Sequence, residues 1–184
     1  MQQDRERWDS RYADNREAYP EADEFLVNNA PLLTGGRALE LACGLGANAI
    51  FLAQRNYWVD AVDISEHALR KLRRRSLQLE IELGLVVGDL DYFPIPERIY
   101  DLVVVFYFFS QSLITAISNS VKSGGHIVYC AYNHLHRSVK PDFKPQYLVP
   151  KGGLAQFFPG TQVIIDEPEA GPEMNLSRLI ARKL

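Results

Sequence analysis

Two cysteines, Cys43 and Cys130, are all that 184 residues contain. A disulfide framework is excluded as the basis of the fold, and a reducing compartment, the cytoplasm, is expected. Long hydrophobic runs are also missing. The longest, Leu102 to Phe109, spans eight residues, against the roughly 20 that a membrane helix needs. The opening MQQDRERWDS is charged and lacks the apolar stretch of a secretory signal. Positive charge is not in excess: 20 Lys and Arg against 23 Asp and Glu give a net charge of −3. That argues against a nucleic-acid binder, whose affinity would rest on neutralising phosphates. Repeats and low-complexity segments are absent. What remains is ordinary globular material, 47% hydrophobic and 23% charged, which excludes disorder. The length suits a single domain, able to bury roughly 70% of the surface its unfolded chain exposes.

The periodicity alternates between strand and helix. Residues 1–30 read as one or two short helices carrying Trp8, Tyr12, Tyr19, Phe25 and Leu26. Strands are expected at Arg37–Ala42, Tyr57–Val62, Leu83–Val87, Asp101–Phe106 and His126–Ala131, the last after a Ser123-Gly124-Gly125 turn. Helices are expected at Ala47–Arg55, Glu66–Leu79 with Ser65 as N-cap, Gln111–Val121, and near Gly153–Phe158. Two terminal strands, Gln162–Asp166 and Ser177–Arg182, read as an antiparallel pair. This order implies an α/β, Rossmann-like, doubly wound sheet of seven mostly parallel strands with helices on both faces. Ligands of such sheets sit at the carboxyl ends of the strands. Candidate functional residues are therefore those that close each strand: 40–46, Asp63, Gly88-Asp89, Phe106-Tyr107 and Tyr132-Asn133.

The sharpest local pattern is Glu40-Leu41-Ala42-Cys43-Gly44-Leu45-Gly46-Ala47-Asn48, where a strand enters a glycine turn and a helix leaves. Gly44-x-Gly46-x-x-Ala49 fits the dinucleotide fingerprint, but Glu40 argues against a pyrophosphate there, since a carboxylate would repel it. A ligand with a cationic amine and no phosphate suits Glu40, and S-adenosylmethionine is such a ligand. Asp63, 17 residues after Gly46, stands near the roughly 20-residue spacing of an acidic ribose-binding position.

On these residues the chain resembles the class I S-adenosylmethionine-dependent methyltransferases, whose glycine motif reads E/D-x-G-x-G-x-G. Here Ala42 replaces the first glycine, a departure expected to tighten the surroundings of the turn. The resemblance covers residues 37–132 and includes Asp63, Gly88-Asp89-Leu90, the strand 101–106 and Ser123-Gly124-Gly125. It implies cofactor contacts from Glu40, Ala42, Cys43, Gly44, Gly46, Asn48, Asp63, Ile64, Ser65, Gly88, Asp89, Leu90 and Phe106. Asp63 would take the ribose hydroxyls and Asp89 the adenine amino group, with Asp91 close enough to substitute. Arg7-Trp8-Asp9-Ser10-Arg11-Tyr12 is similar to the W-D-x-R-Y opening of small-molecule methyltransferases. There it forms a lid, giving Trp8 and Tyr12 a cofactor role beside their plain use as packing anchors. Residues 146–154 and 179–183 resemble the tellurite-resistance-like branch.

Other residues admit plainer readings. Cys43 fills a tight turn, although a helix N-terminus could lower its thiol pKa. The basic residues Arg70, Lys71, Arg73, Arg74 and Arg75 read as a solvated helix face. His134-x-His136 has no third ligand nearby, so no metal is expected. No catalytic residue stands out; the candidates are His134, His136 and Tyr107, with histidine suited to base chemistry. The expected function is in-line methyl transfer to a small-molecule acceptor, with residues 1–30 as lid, 37–132 as cofactor core and 133–184 as acceptor loop and terminal strands. A non-catalytic methyltransferase-like module is the alternative, and a nicotinamide-dependent oxidoreductase a weaker one.

Overall fold

A run of β-branched residues with no polar interruption has to be covered on both faces, and Leu102 to Val105 are fully buried in the strand they form. Such strands organise the computed structural model, which describes residues 2–13 and 19–184. The element order is α1 (Gln2–Tyr12), α2 (Glu24–Asn29), β1 (Arg37–Leu41), α3 (Ala47–Ala53), β2 (Trp58–Asp63), α4 (Glu66–Gln78), β3 (Gly84–Val87), β4 (Tyr100–Phe106), α5 (Ile114–Ser120), β5 (Val121–Tyr132), α6 (His136–Val139), β6 (Thr161–Ala170) and β7 (Leu176–Lys183). They build a seven-stranded mixed sheet in the order β3-β2-β1-β4-β5-β7-β6. β5–β7 and β6–β7 pair antiparallel. This is the Rossmann-like architecture expected from the alternation. By internal contacts the chain divides into two compact units, residues 1–94 and 95–184, described in turn. The stretch 14–18 of the expected N-terminal lid lies outside the described residues. No helix among the described residues is long and apolar enough to cross a membrane.

In the first unit, β1 pairs parallel with β2, and β2 with β3, so that Leu41 lies beside Val62 and Asp63 beside Val87. The carboxyl ends of these strands are therefore level. α4 follows its sequence signals. Ser65 caps it by accepting the Ala68 N–H, and Ala68, Leu69, Leu72 and Ser76 form the buried stripe. α2 starts at Asp23, whose side chain accepts the Phe25 N–H.

In the second unit, β4 and β5 run parallel. β5 is longer than its sequence suggests. It begins at Val121, directly after α5, and the Ser123-Gly124-Gly125 segment is an irregularity within it rather than a turn before it. Gly124 holds φ +82°, and a Cβ on Gly125 would meet Val121 Cγ1 at 2.8 Å, so the glycines let the strand bulge without breaking. The helix expected at Gln111–Val121 splits into a 3₁₀ turn (Gln111–Leu113) and the shorter α5. The helix expected near Gly153–Phe158 is a 3₁₀ turn at Ala155–Phe157. α6 had no expectation; its four residues are too few for a periodicity. β6 reaches Ala170, four residues beyond its expected end, carrying Asp166, Glu167, Pro168 and Glu169 along its largely exposed length.

Asn133, fully buried after β5, ties this unit together. Its Nδ2 donates to the carbonyls of Pro168, Met174 and Leu176, its Oδ1 accepts the Leu135 N–H, and its N–H donates to the Asn175 carbonyl. Truncation would remove the side-chain bonds at once and leave the buried Leu176 carbonyl without this donor. Asn133→Ala is expected to lower stability by about 2–4 kcal/mol in urea unfolding, and a loss below about 1 kcal/mol would contradict this account.

Candidate functional site

Glycine 46 begins the site because nothing larger fits. Its φ is +69°, and an added Cβ would collide with both δ-methyls of Leu72 on α4. The turn between β1 and α3 is therefore packed directly against the next helix. Its φ values are positive at Ala42 (+54°), Gly44 (+52°) and Gly46 (+69°). Ala42 adopts the left-handed conformation that the glycine of the family motif would take without strain. The substitution is thus felt in the backbone, more than in the surroundings. Ala42→Gly is expected to stabilise the protein by about 0.5–1 kcal/mol, read as a higher urea midpoint at unchanged slope.

Asp63 anchors this turn from the end of β2. Its Oδ2 accepts the Gly44 N–H at 2.7 Å, and its Oδ1 accepts the Ser65 N–H at 2.8 Å. Burial pushes its carboxyl up, against the pull of these N–H groups and that of Ile64. The Asp63 carbonyl accepts the Gly88 N–H, linking the end of β3. There Asp89 closes an Asx turn, its Oδ1 accepting the Asp91 N–H at 3.1 Å, and Leu90 is buried beside it.

Glu40 is 2% exposed and lies one strand away. Asn48 and the Ala49 N–H bond to its carboxylate, but Oε2 has no partner. Desolvation, with a smaller push from Asp63, raises its pKa from the ordinary 4.5 to about 8. Asn48 also accepts the Asp23 N–H at 2.9 Å, so it links Glu40 to the segment before α2. Cys43 is buried, and its thiol is pushed well up by burial and by the charges of Glu40 and Asp63. Helix proximity does not activate it, and the role of a small turn residue fits it.

α1 docks on this unit through Asp9, a residue whose role was not foreseen. Asp9 Oδ1 accepts from Ser65 Oγ at 2.6 Å and lies 3.2 Å from His67 Nδ1. The Ser65 hydroxyl is thereby engaged on two sides. Tyr12 approaches the turn closely enough that a Cβ on Gly44 would sit 2.7 Å from its hydroxyl, and Trp8 stacks on Tyr12 at 6.0 Å.

The chemistry of the donors can be tested against S-adenosylmethionine. A fully buried carboxylate oxygen without a partner carries a large desolvation penalty. A ligand ammonium would relieve it, whereas a pyrophosphate would aggravate it. The residues present therefore fit the amino-acid end of that molecule. Residues 38–125 also match the family model described as a methyltransferase domain. Over this stretch the chain is similar to the class I S-adenosylmethionine-dependent methyltransferases.

Relatives agree with this placement. A ubiquinone biosynthesis O-methyltransferase of Alkalilimnicola ehrlichii is 29% identical over 114 residues, 58% of this chain and 45% of that protein. The probable S-adenosyl-L-methionine-dependent methyltransferase TehB of Haemophilus influenzae is 24% identical over 123 residues, 65% of this chain and 42% of that protein. The chain thus spans about half the length of the curated relatives it matches. The TehB crystal structure superposes with a TM-score of 0.74 at 16% identity, covering 98% of this chain and 67% of that one. The [4+2]-cyclase SpnF superposes with a TM-score of 0.75 at 15% identity, covering 99% and 95%. These two likenesses show the fold.

The remaining candidates lie in the second unit. Phe106 is buried at the end of β4. Tyr107 follows it at φ +56°, half-exposed, its N–H donating to the Cys130 carbonyl at 2.7 Å. His134 has a buried Nδ1 with no partner. His136 is buried, and its Nδ1 lies 3.1 Å from the Asn175 Nδ2. Among the described residues, no group of three His, Cys, Asp or Glu is placed to hold a metal ion.

The buried carboxylates make stability fall with rising pH. Glu40 has a folded pKa above its unfolded value, so the folded state holds the extra proton. Its favourable contribution is complete below about 4.5 and is lost as pH rises to about 8. Asp63, also raised, acts in the same direction. Without ligand, urea midpoints are expected to decline across this window, and Glu40→Gln to flatten the decline; an unchanged slope in that variant would refute the assignment.

Proposed function

We propose that this protein transfers a methyl group from S-adenosylmethionine to a small-molecule acceptor by in-line displacement. The single observation that carries the cofactor half is the unpartnered Oε2 of Glu40, buried beside a glycine turn held open by Asp63. When bound, S-adenosylmethionine supplies an electrophilic methyl group and a thioether leaving group. The chain's own residues bind and orient. Glu40 takes the ammonium, and the backbone of residues 42–46 lies along the methionine portion. Asp63 receives the ribose hydroxyls on the lone pairs its two backbone bonds leave free. Gly88, Asp89 and Leu90 flank the adenine, and Trp8 and Tyr12 exclude water from above the turn. Ile64, Ser65, Cys43 and Asn48 shape the walls. Positioning is a sufficient source of rate enhancement, up to roughly 7–11 kcal/mol in the best-aligned cases.

Relatives named as a ubiquinone biosynthesis O-methyltransferase and a 27-O-demethylrifamycin SV methyltransferase support a small organic acceptor. Residues 133–184 are proposed to provide its side of the site. The likeness to a cyclase shows that the fold alone does not fix the reaction, so turnover must be measured.

Calorimetry with S-adenosylhomocysteine tests the reading directly. Binding is expected to release a proton near neutral pH, because Glu40 is largely protonated without ligand and ionises against the ammonium. Affinity should rise with pH up to about 8. Glu40→Gln is expected to weaken binding roughly tenfold to hundredfold and to abolish the proton release. Glu40 is a better probe than Asp63, whose removal would also free the Gly44 and Ser65 N–H groups and so confound binding with folding. Binding of NAD in place of S-adenosylhomocysteine would overturn the assignment. Tight binding with no turnover on any acceptor would favour a non-catalytic module.

A further inference from the structure

The end of β5 carries an aromatic cluster that the cofactor half does not use. Tyr132 and His136 stack face to face, 3.8 Å between ring centroids at 21°. Phe143 meets both edge-on, at 5.6 Å and 4.9 Å. Tyr107 adds a tilted ring 5.6 Å from Tyr132. Its strained left-handed backbone at the carboxyl end of β4 leaves the phenol half-exposed. Non-glycine residues in that conformation concentrate at functional positions.

The proton on His136 can be located by counting donors. Asn175 Nδ2 lies 3.0 Å from Glu173 Oε2. A carboxylate only accepts, so the amide nitrogen, not its oxygen, faces Glu173. The second amide hydrogen points to His136 Nδ1 at 3.1 Å, which must receive it on a lone pair. A neutral imidazole that accepts at Nδ1 carries its proton on Nε2. Nε2 has no hydrogen-bond partner among the described residues, and it is not one of the buried atoms left without one. The charged groups near the ring are Lys140, which disfavours protonation, and Glu173, which favours it; burial, the largest influence, also keeps the ring neutral.

We propose that Tyr107, Tyr132, His136 and Phe143 form the acceptor subsite, where His136 donates a hydrogen bond through Nε2–H and does not act as a base. The acceptor class follows from these groups. The exposed Tyr107 ring offers a stacking surface for a flat molecule. One N–H donor among aromatic rings selects a ligand oxygen of the phenol, phenolate or enolate kind. Lys140 is the cation near the ring, and the flat aromatic walls favour an aromatic oxygen ligand over a small, strongly hydrated inorganic oxyanion. The assignment builds on the methyl-transfer reading, but its test is independent of turnover.

Full-length protein labelled with ¹⁵N-histidine is examined by multiple-bond ¹H–¹⁵N correlation near neutral pH. His136 is expected as the neutral Nε2–H tautomer, and Asn175→Asp is expected to draw a proton to Nδ1. The wild-type spectrum alone is decisive if that variant does not fold. An Nδ1–H tautomer or a charged ring in the wild type overturns the donor role. Titration with 4-nitrophenol, as phenolate at mildly alkaline pH, is expected to shift the His136 resonances and, in protein labelled with ring-¹³C tyrosine, those of Tyr107, whereas selenite shifts neither. His136→Gln, which keeps a donor near the Nε2 position, should bind the phenolate within about threefold of wild type, and His136→Ala about tenfold more weakly. Equal losses in both variants, or resonances moved by selenite and not by the phenolate, overturn the proposal. Absence of S-adenosylhomocysteine binding would instead overturn the methyl-transfer reading and leave the tautomer standing.

Discussion

The pair of hydrogen bonds that Asp63 accepts from Gly44 and Ser65 is the constraint on which the first unit depends. Through Gly44 it fixes the left-handed turn between β1 and α3. Through Ser65 it sets the cap of α4, and the Ser65 hydroxyl passes the connection on to Asp9 and α1. One carboxylate therefore joins the end of a strand, the starts of two helices and the N-terminal helix. A second carboxylate, Glu40, is also buried, and the Asp63 charge adds to the desolvation that raises its pKa. Without ligand, Glu40 meets this by holding its proton well above the ordinary carboxylate range. The electrostatic strain is located where a ligand amine would relieve it.

Sequence patterning reached the strands and the turn because each has a local cause. The unbroken apolar run of β4 can only be a covered strand, and Ser65 followed by Glu66 marks a helix start whatever lies around it. Boundaries were displaced where tertiary packing decides. β5 absorbs its glycines as a bulge because neighbouring strands on both sides hold it in register. β6 runs on to Ala170 because β7 supplies partners for residues that show no strand preference of their own. Glu40 and Asp63 stand out in the sequence from their spacing around the glycines, and the structure buries both. Asp9 does not stand out, because its partners Ser65 and His67 lie more than fifty residues away.

The histidine pair shows a different limit of sequence reading. A histidine after the fifth strand suggests a base, since the free side chain titrates near neutrality. Which nitrogen holds the proton depends on Asn175 and Glu173, placed beside His136 by the connection between β6 and β7. No spacing rule anticipates that contact. The two units thus differ in how they encode chemistry: the first in a contiguous motif, the second in residues assembled by the antiparallel pairs.

The outermost strand on that side, β6, has a bearing on how the protein behaves in a crowded solution. An open sheet edge is a template for a second chain, and β6 exposes Val163 and Ile164 along it. The strand then runs into Asp166, Glu167, Pro168 and Glu169, with two breaks in its register against β7. Like charges repel an identical edge, proline removes a backbone donor, and the irregularities spoil a flat docking surface. The exposed apolar pair is thus confined to a few residues. The antiparallel pair that brings Asn175 and Glu173 to His136 therefore also ends the sheet in an acidic, proline-interrupted edge.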